Sequence, residues 1–285
     1  MSWSNRRPRA DGLAGLLLLA PSILLGVVFV VSLCDMLWLS VSGPHGLSIE
    51  SYLHFFAVSA YREVLLRTLR TATVVTVVTL ILAYPVSYAL TRVGPRTAGM
   101  MMIAVVLPFF TSVMVRTYAW IVILGRQGLI NELLRTTGLV SSPLSLLYNS
   151  SAVVVGMTYV MLPYMVLTLY TTMRRIDHRL LQAAQNLGAS PMQMFRRVIL
   201  PLSLPGVISG SLLVFLLSLG FFITPALMGG PPDVLLAMLV EREIELTGNW
   251  GFGSAMGMIL LCVTAGGIMA YYRVTGLGRV VEDGR

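Results

Sequence analysis

Six stretches of predominantly apolar residues constrain this chain more than any other feature. They run from Leu13 to Leu33, Thr71 to Leu90, Gly99 to Leu124, Val153 to Thr172, Val207 to Met228 and Phe252 to Tyr272. A span needs about 20 such residues to cross roughly 30 Å of hydrocarbon. Inside hydrocarbon each backbone polar group must be satisfied within its own segment, so each stretch is expected as a helix. The expected fold is therefore an all-α polytopic membrane protein with six transmembrane helices. Turn signals separate the spans at Ser42-Gly43-Pro44, Val93-Gly94-Pro95, Gly125 to Pro143, Met173 to Pro205 and Gly229-Gly230-Pro231-Pro232. With loops this short, function is expected within the bundle or at its surfaces.

Composition agrees, because 56% of the residues are hydrophobic and 11% charged, where a soluble domain carries roughly 25% charged residues. All twenty basic residues are arginine. A phosphate-binding loop of the G-x-x-x-x-G-K-[ST] kind and Schiff-base chemistry both need a lysine amine, so neither fits this chain. Cys34 and Cys262 are far apart in apolar surroundings, with no disulfide framework and no metal-ligand spacing. Nothing in the sequence points to nucleic acid.

Arginine placement orients the spans, since positive loops stay cytoplasmic. With the N-terminus inside, the inner segments hold Arg6, Arg7, Arg9, Arg92, Arg96, Arg174, Arg175, Arg179, Arg196, Arg197, Arg273, Arg279 and Arg285 against four acids. The outer segments hold seven arginines against eight acids. The expected organisation is a cytoplasmic N-terminus over residues 1–12, a transmembrane domain over 13–272 with its longest inner loop at 173–205, and a cytoplasmic tail over 273–285. A secretory signal peptide competes for the N-terminus. It is set aside because the apolar run outlasts a signal core and no A-x-A pattern follows.

The inner loop is expected to form an elbow. Asp177 is a good N-cap, Gly188 a good C-cap, and Leu180, Ala184 and Leu187 share a face. Ser190 then caps a second start, with Pro191 at the first helical position and Gln193 completing a capping box. Met192, Phe195 and Ile199 form a stripe beside Arg196 and Arg197, until Pro201 and Pro205 stop the helix. Physics alone leaves two readings: an amphipathic pair lying in the membrane interface, or an apolar knob for a groove in a cytosolic partner.

Gln182-Ala183-Ala184, then Gly188, then Val198-Ile199-Leu200-Pro201 resembles the EAA signature, E-A-A-x3-G-x9-I-x-L-P, of permease subunits in binding-protein-dependent ABC importers. The spacing agrees at each position, with Gln182 in place of glutamate and Val198 in place of isoleucine. Further stretches are similar to the spermidine/putrescine branch: Leu107 to Ser112, Val115 to Trp120, Gly128 to Asn131, Pro143-Leu144 with Leu147-Tyr148, and Phe222 to Leu227. The resemblance implies a type I importer permease fold in the bacterial inner membrane, and a transport subunit rather than an enzyme. It implies a second permease chain as heterodimer partner, two copies of an ATPase subunit that hold the ATP and magnesium, and a periplasmic substrate-binding protein. The implied cargo is a small organic cation such as spermidine or putrescine. Other cargoes of the same importer type are an opine, an amino-acid-like compound or a phosphonate. The residues implied for coupling are Gln182, Ala183, Ala184, Gly188, Ala189, Ser190, Pro191, Met192, Phe195 and Pro201.

For the substrate path the candidates are Asp35 and Glu241 at an outer mouth, with Arg116, Tyr118 and Trp120 deeper. Each has a plainer reading. Arg116 can snorkel, Asp35 can be an interfacial acid, and Glu241, Glu243 and Glu245 can form a solvated segment. The aromatics Tyr84, Tyr88, Phe109, Phe110, Tyr118, Trp120, Tyr159, Tyr164, Phe221 and Phe222 lie beside four prolines, as packing or as a cage for a cation. An ion-coupled secondary transporter would show internal repeats and a deep carboxylate, and neither is found. A serine protease would need histidine at membrane depth, while His45, His54 and His178 all fall in loops.

Overall fold

The computed structural model of the chain describes residues 12–43 and 46–275. Arg6, Arg7, Arg9 and Asp11 of the expected cytoplasmic N-terminus, Arg279, Glu282, Asp283 and Arg285 of the expected tail, and Pro44 and His45 lie outside the described residues. The chain opens with helix α1 (Gly12–Val41), a short antiparallel hairpin of β1 (Ser42–Gly43) and β2 (Gly46–Leu47), and α2 (Glu50–Ala57). Next come α3 (Ser59–Arg92), α4 (Pro95–Val106), α5 (Val113–Leu124), α6 (Leu129–Thr136) and α7 (Ser150–Arg174). The remainder is α8 (His178–Asn186), α9 (Pro191–Met194), α10 (Leu200–Leu219), α11 (Ile223–Met228), α12 (Leu236–Glu245) and α13 (Trp250–Thr275).

Among the described residues five helices are long and apolar enough to cross a membrane: Pro21–Val41, Ser59–Arg92, Ser150–Arg174, Pro191–Leu219 and Trp250–Arg273. The sixth span is a bent pair, Pro95–Phe110 and Val113–Thr136, turned by 104° at its break. The expectation of one straight helix from Gly99 to Leu124 is thus corrected. Pro108 has no N–H to give, the chain tightens into a 3-10 turn over Leu107–Phe110, and Thr111 and Ser112 are extended. The fifth span is corrected as well. It starts at Pro191 rather than Val207, ends at Leu219, and leaves Ile223–Met228 as a separate short helix.

The core is a three-helix packing of α3, α7 and α10. Along α7, Val153, Met157, Met161, Met165, Leu169 and Met173 recur at every fourth position and are all buried. Residues four apart lie one above the other on a helix, so these six form a continuous seam that winds slowly around α7. Against α7 the helix α10 presents Gly206 beside Thr172 and Gly210 on the seam itself. A Cβ at Gly206 would stand 2.7 Å from the Thr172 side chain, and one at Gly210 would stand 2.8 Å from Met165 Sδ. Only glycine permits that approach, which is how small residues four apart bring membrane helices together. By contrast α1 packs chiefly along α13, touching α2 near its end where Tyr52 Oη donates to Ser40 Oγ, and Leu25, Phe29 and Val31 are more than half exposed.

Chain direction places the end of α3, the start of α4, the end of α7 and the α8–α9 elbow together at one end of the bundle. The hairpin, α2, the start of α3 and the junction of α12 with α13 gather at the opposite end.

Candidate functional site

The elbow is built from neighbouring residues. Asp177 caps α8 by accepting the Arg179 N–H at 2.8 Å. At the far end Gly188 adopts φ +76°, where an L side chain is strained, and two bonds close the turn. The Gly188 N–H donates to Gln185 O at 2.9 Å and the Ala189 N–H to Ala184 O at 3.0 Å, a Schellman pairing that satisfies two helix-end carbonyls. One residue later Ser190 accepts the Gln193 N–H at 3.3 Å while its own N–H donates to Gln193 Oε1 at 2.9 Å. That is the expected capping box, with Pro191 as the first helical residue.

The helix does not stop at Pro201 or Pro205, which corrects that expectation. It widens instead into a π turn over Phe195–Ile199, in which the Leu200 N–H donates to Phe195 O. A proline ring at 201 would strike the carbonyl four residues back in a regular α-helix. One extra residue in the preceding turn relieves that conflict, so Pro191–Leu219 runs on as one rod.

The elbow has two faces. Leu181, Met194 and Ile199 are buried on the inner one, with Ala184 and Phe195 packed against them. Phe195 stands edge-on to Tyr84 and Tyr88, at 5.8 and 5.9 Å between ring centroids, and Tyr84 Oη lies 2.9 Å from Ser203 Oγ. The expectation that Phe195 is presented outward is therefore corrected, since it fixes the elbow to α3. The outer face carries Leu187, 88% exposed, and Met192, 65% exposed, together with Leu180, Gln182 and Ala183.

At the broken spans, α5 and α11 pack against each other and on α7. Thr117 Oγ1 and Thr224 Oγ1 are 3.0 Å apart, both fully buried, and Gly156 of α7 leaves the space that Thr224 and Met228 occupy. Arg116 sits beside Thr117 with its Nε buried and without a hydrogen-bond partner among the described residues. Trp120 packs edge-on against Tyr159 at 5.6 Å, whereas Tyr118, two positions away, is exposed. The two candidate path aromatics thus face different ways. The ten aromatics form no single cage either. Tyr84 and Tyr88 serve the elbow, Phe109 meets Tyr164 at 4.6 Å, and Phe110 is exposed.

Asp35 on α1 and Glu241 on α12 are both exposed, and neither lines the cavity at the hairpin end. The acids that do line a cavity at this end, of about 590 Å³, are Glu50 and Glu243. His54, Tyr61 and Phe252 stack edge-on along its wall. Two further residues organise this end. Asn131 donates to Gly125 O and Leu144 O and accepts the Leu144 N–H, all within 3.0 Å. Asp233 accepts from Ser150 Oγ and from the Gly230 N–H. Asn131 stood inside a quoted motif, but only its complete burial reveals its task.

Comparison with known proteins supplies the context for this geometry. A family model described as binding-protein-dependent transport system inner membrane component matches residues 10–277. The spermidine/putrescine transport system permease protein PotB of Haemophilus influenzae is 37% identical over 237 residues, covering 83% of this chain and 82% of that protein. The inner membrane ABC transporter permease protein YdcU of Escherichia coli is 33% identical over 88% of this chain and 86% of its own length. Among solved structures, a chain of a bacterial alginate ABC transporter in complex with an alginate-bound periplasmic protein aligns with a TM-score of 0.71. It is 14% identical and covers 91% of this chain and 92% of that one.

Proposed function

The chain belongs to the binding-protein-dependent transport system inner membrane components, and from that premise we propose how its two ends divide the work of import. It is a multi-pass inner membrane permease subunit of an ABC importer whose cargo is a polyamine such as spermidine or putrescine, as the names of its relatives support. It is a transport subunit, and its partners are of the ATPase and substrate-binding-protein kind. In our reading the elbow end is cytoplasmic, both termini lie inside, and a second, different permease completes the pair. Two copies of an ATPase subunit hold the ATP and magnesium.

The observation that carries the coupling role is the outer face of the elbow. Leu180, Leu187 and Met192 stand exposed on a turn held at both sides by caps. Covering a large apolar side chain contributes about 1.5–3 kcal/mol, so this face favours an apolar groove in a cytosolic partner. Gln182, Ala183, Gly188, Ala189, Ser190 and Pro191 shape that face. Ala184 and Phe195 hold it from within, and Pro201 sets the rod that leads from it.

Gly188→Asp tests this reading. A Cβ there meets nothing within 4 Å, so the change costs the bundle only the backbone strain of a positive φ, about 1 kcal/mol. The variant should insert into the membrane at wild-type levels and lose ATP-driven uptake of labelled putrescine or spermidine, whereas normal uptake would refute docking at the elbow. Orientation is checked after replacing Cys34 and Cys262. An impermeant thiol reagent added outside should label Leu139→Cys and spare Asn186→Cys. The buried, unpartnered Nε of Arg116 favours a second reading, an anionic cargo. Uptake of organic anions alone would replace the polyamine assignment.

A further inference from the structure

A cavity of about 520 Å³ opens at the elbow end, between the end of α3, the start of α4, the end of α7 and the inner face of the elbow. Its charged lining is Arg92 and Arg174, and no acid lines it. The Arg92 guanidinium lies 5.0 Å from the centroid of Tyr88, and that of Arg174 lies 5.9 Å from Tyr170. Each cation is therefore held in direction by an aromatic face rather than neutralised by a carboxylate. Among the described residues the one ion pair is Arg67 with Glu63, remote from this cavity. Opposite the arginines the wall is apolar, formed by Ala98, Gly99 and Met102 of α4, and a Cβ at Gly99 would meet nothing within 4 Å.

Two un-neutralised guanidiniums above an apolar wall, where helices leave their apolar spans, match an amphiphile with an anionic head. Basic pockets between membrane helices on the cytoplasmic side suit lipid phosphates. The arginine fork pairs well with phosphate oxygens. We propose that this cavity holds the phosphate headgroup of an anionic phospholipid, between Arg92 and Arg174, with acyl chain against Ala98 and Met102. Leu181 and Ile199 line the same cavity and are two of the three buried residues of the elbow. A seated lipid therefore braces the elbow against α3 and α7, and the importer's ATPase rate rises with anionic lipid. The proposal rests on the cytoplasmic placement of the elbow end.

The test is lipid retention by the purified importer complex in native mass spectrometry, with phosphatidylglycerol competing against phosphatidylcholine. Each arginine near a headgroup contributes about fivefold in affinity. Arg92→Gln with Arg174→Gln should accordingly lower phosphatidylglycerol retention by about thirtyfold and remove its stimulation of ATPase activity. Arg96→Gln with Arg175→Gln, which leaves the lining intact, should change little. Gly99→Leu keeps both charges and fills the mouth, so it should displace the lipid even if the arginine variant folds poorly. Equal retention of both lipids by the wild type, or equal loss in the Arg96 and Arg175 variant, would overturn the proposal. So would displacement by inorganic phosphate with no lipid preference, which would assign the cavity to a free phosphate. Retention is counted without cargo or transport, so a mistaken cargo leaves it unchanged, and thiol labelling checks orientation separately.

Discussion

The elbow and the two broken spans both interrupt helices, but for opposite reasons. In the elbow each interruption is written within four residues of itself: Asp177 with Arg179, Gly188 with Gln185, Ser190 with Gln193. At Thr111–Ser112 and around Gly220–Phe222 the chain breaks within stretches that are apolar on either side, and the partners that hold the broken ends are distant. Thr117 meets Thr224 across 107 positions, and α11 fits a notch at Gly156. Local chemistry makes a compact turn that presents a surface, whereas remote packing makes a junction that depends on the whole bundle. Substitutions in the junction should therefore spread, and those in the elbow should stay local.

The largest effect is expected from Gly156→Leu. A Cβ there already comes within 2.6 Å of Thr224 Cγ2 and 2.8 Å of Met228 Sδ. Overpacking of this kind costs about 3 kcal/mol, read as a lowered thermal midpoint with α5 and α11 both exposed to exchange. Asn131→Ala comes next, because it strips partners from Leu144 N–H, Leu144 O and Gly125 O. About 2 kcal/mol should be lost, and hydrogen exchange should accelerate over residues 125–148 while the elbow stays protected. Thr117→Val alone leaves the Thr224 hydroxyl buried and unpaired at about 1–2 kcal/mol, whereas adding Thr224→Val should restore most of it. If the double variant is as unstable as the single one, the hydroxyl pair is not what joins the broken ends. The smallest effect is Ser190→Ala, about 1 kcal/mol from the lost cap. Faster exchange should be confined to residues 189–199, and spreading into α7 would erase the contrast with the junction.

That contrast also decides what a reader of the sequence sees. Caps and turns depend on residue type over short spacing, so Asp177, Gly188, Ser190 and Gln193 were legible, as was an apolar helix at each span. The breaks were not, because hydropathy measures burial in lipid or protein alike and stays high across Thr111–Ser112 and Phe221–Phe222. The placing of Phe195 escapes the sequence for a related reason. Met192 and Met194 are chemically equivalent candidates for the inner face, and the π turn shifts every later position, which ordinary helical spacing does not anticipate. Asp35 and Glu241 are visible in the sequence as outer acids, yet a cavity is a property of three dimensions, and it selects Glu50 and Glu243 instead.

The methionine seam of α7 has a mechanical consequence. Met157, Met161, Met165 and Met173 are unbranched and polarizable, so each adapts to a displaced neighbour by rotating its own bonds. Against Met165 of this seam α10 sets Gly210, and against neighbouring Thr172 it sets Gly206, neither with a side chain to interlock. An interface with few teeth on one side and pliant filling on the other resists separation more than sliding, and small sliding of packed helices is one of the ways domains change state. The rod Pro191–Leu219 begins at the elbow and lies along α7, so under the proposed docking a push at Met192 would travel down it as a shear toward Leu219.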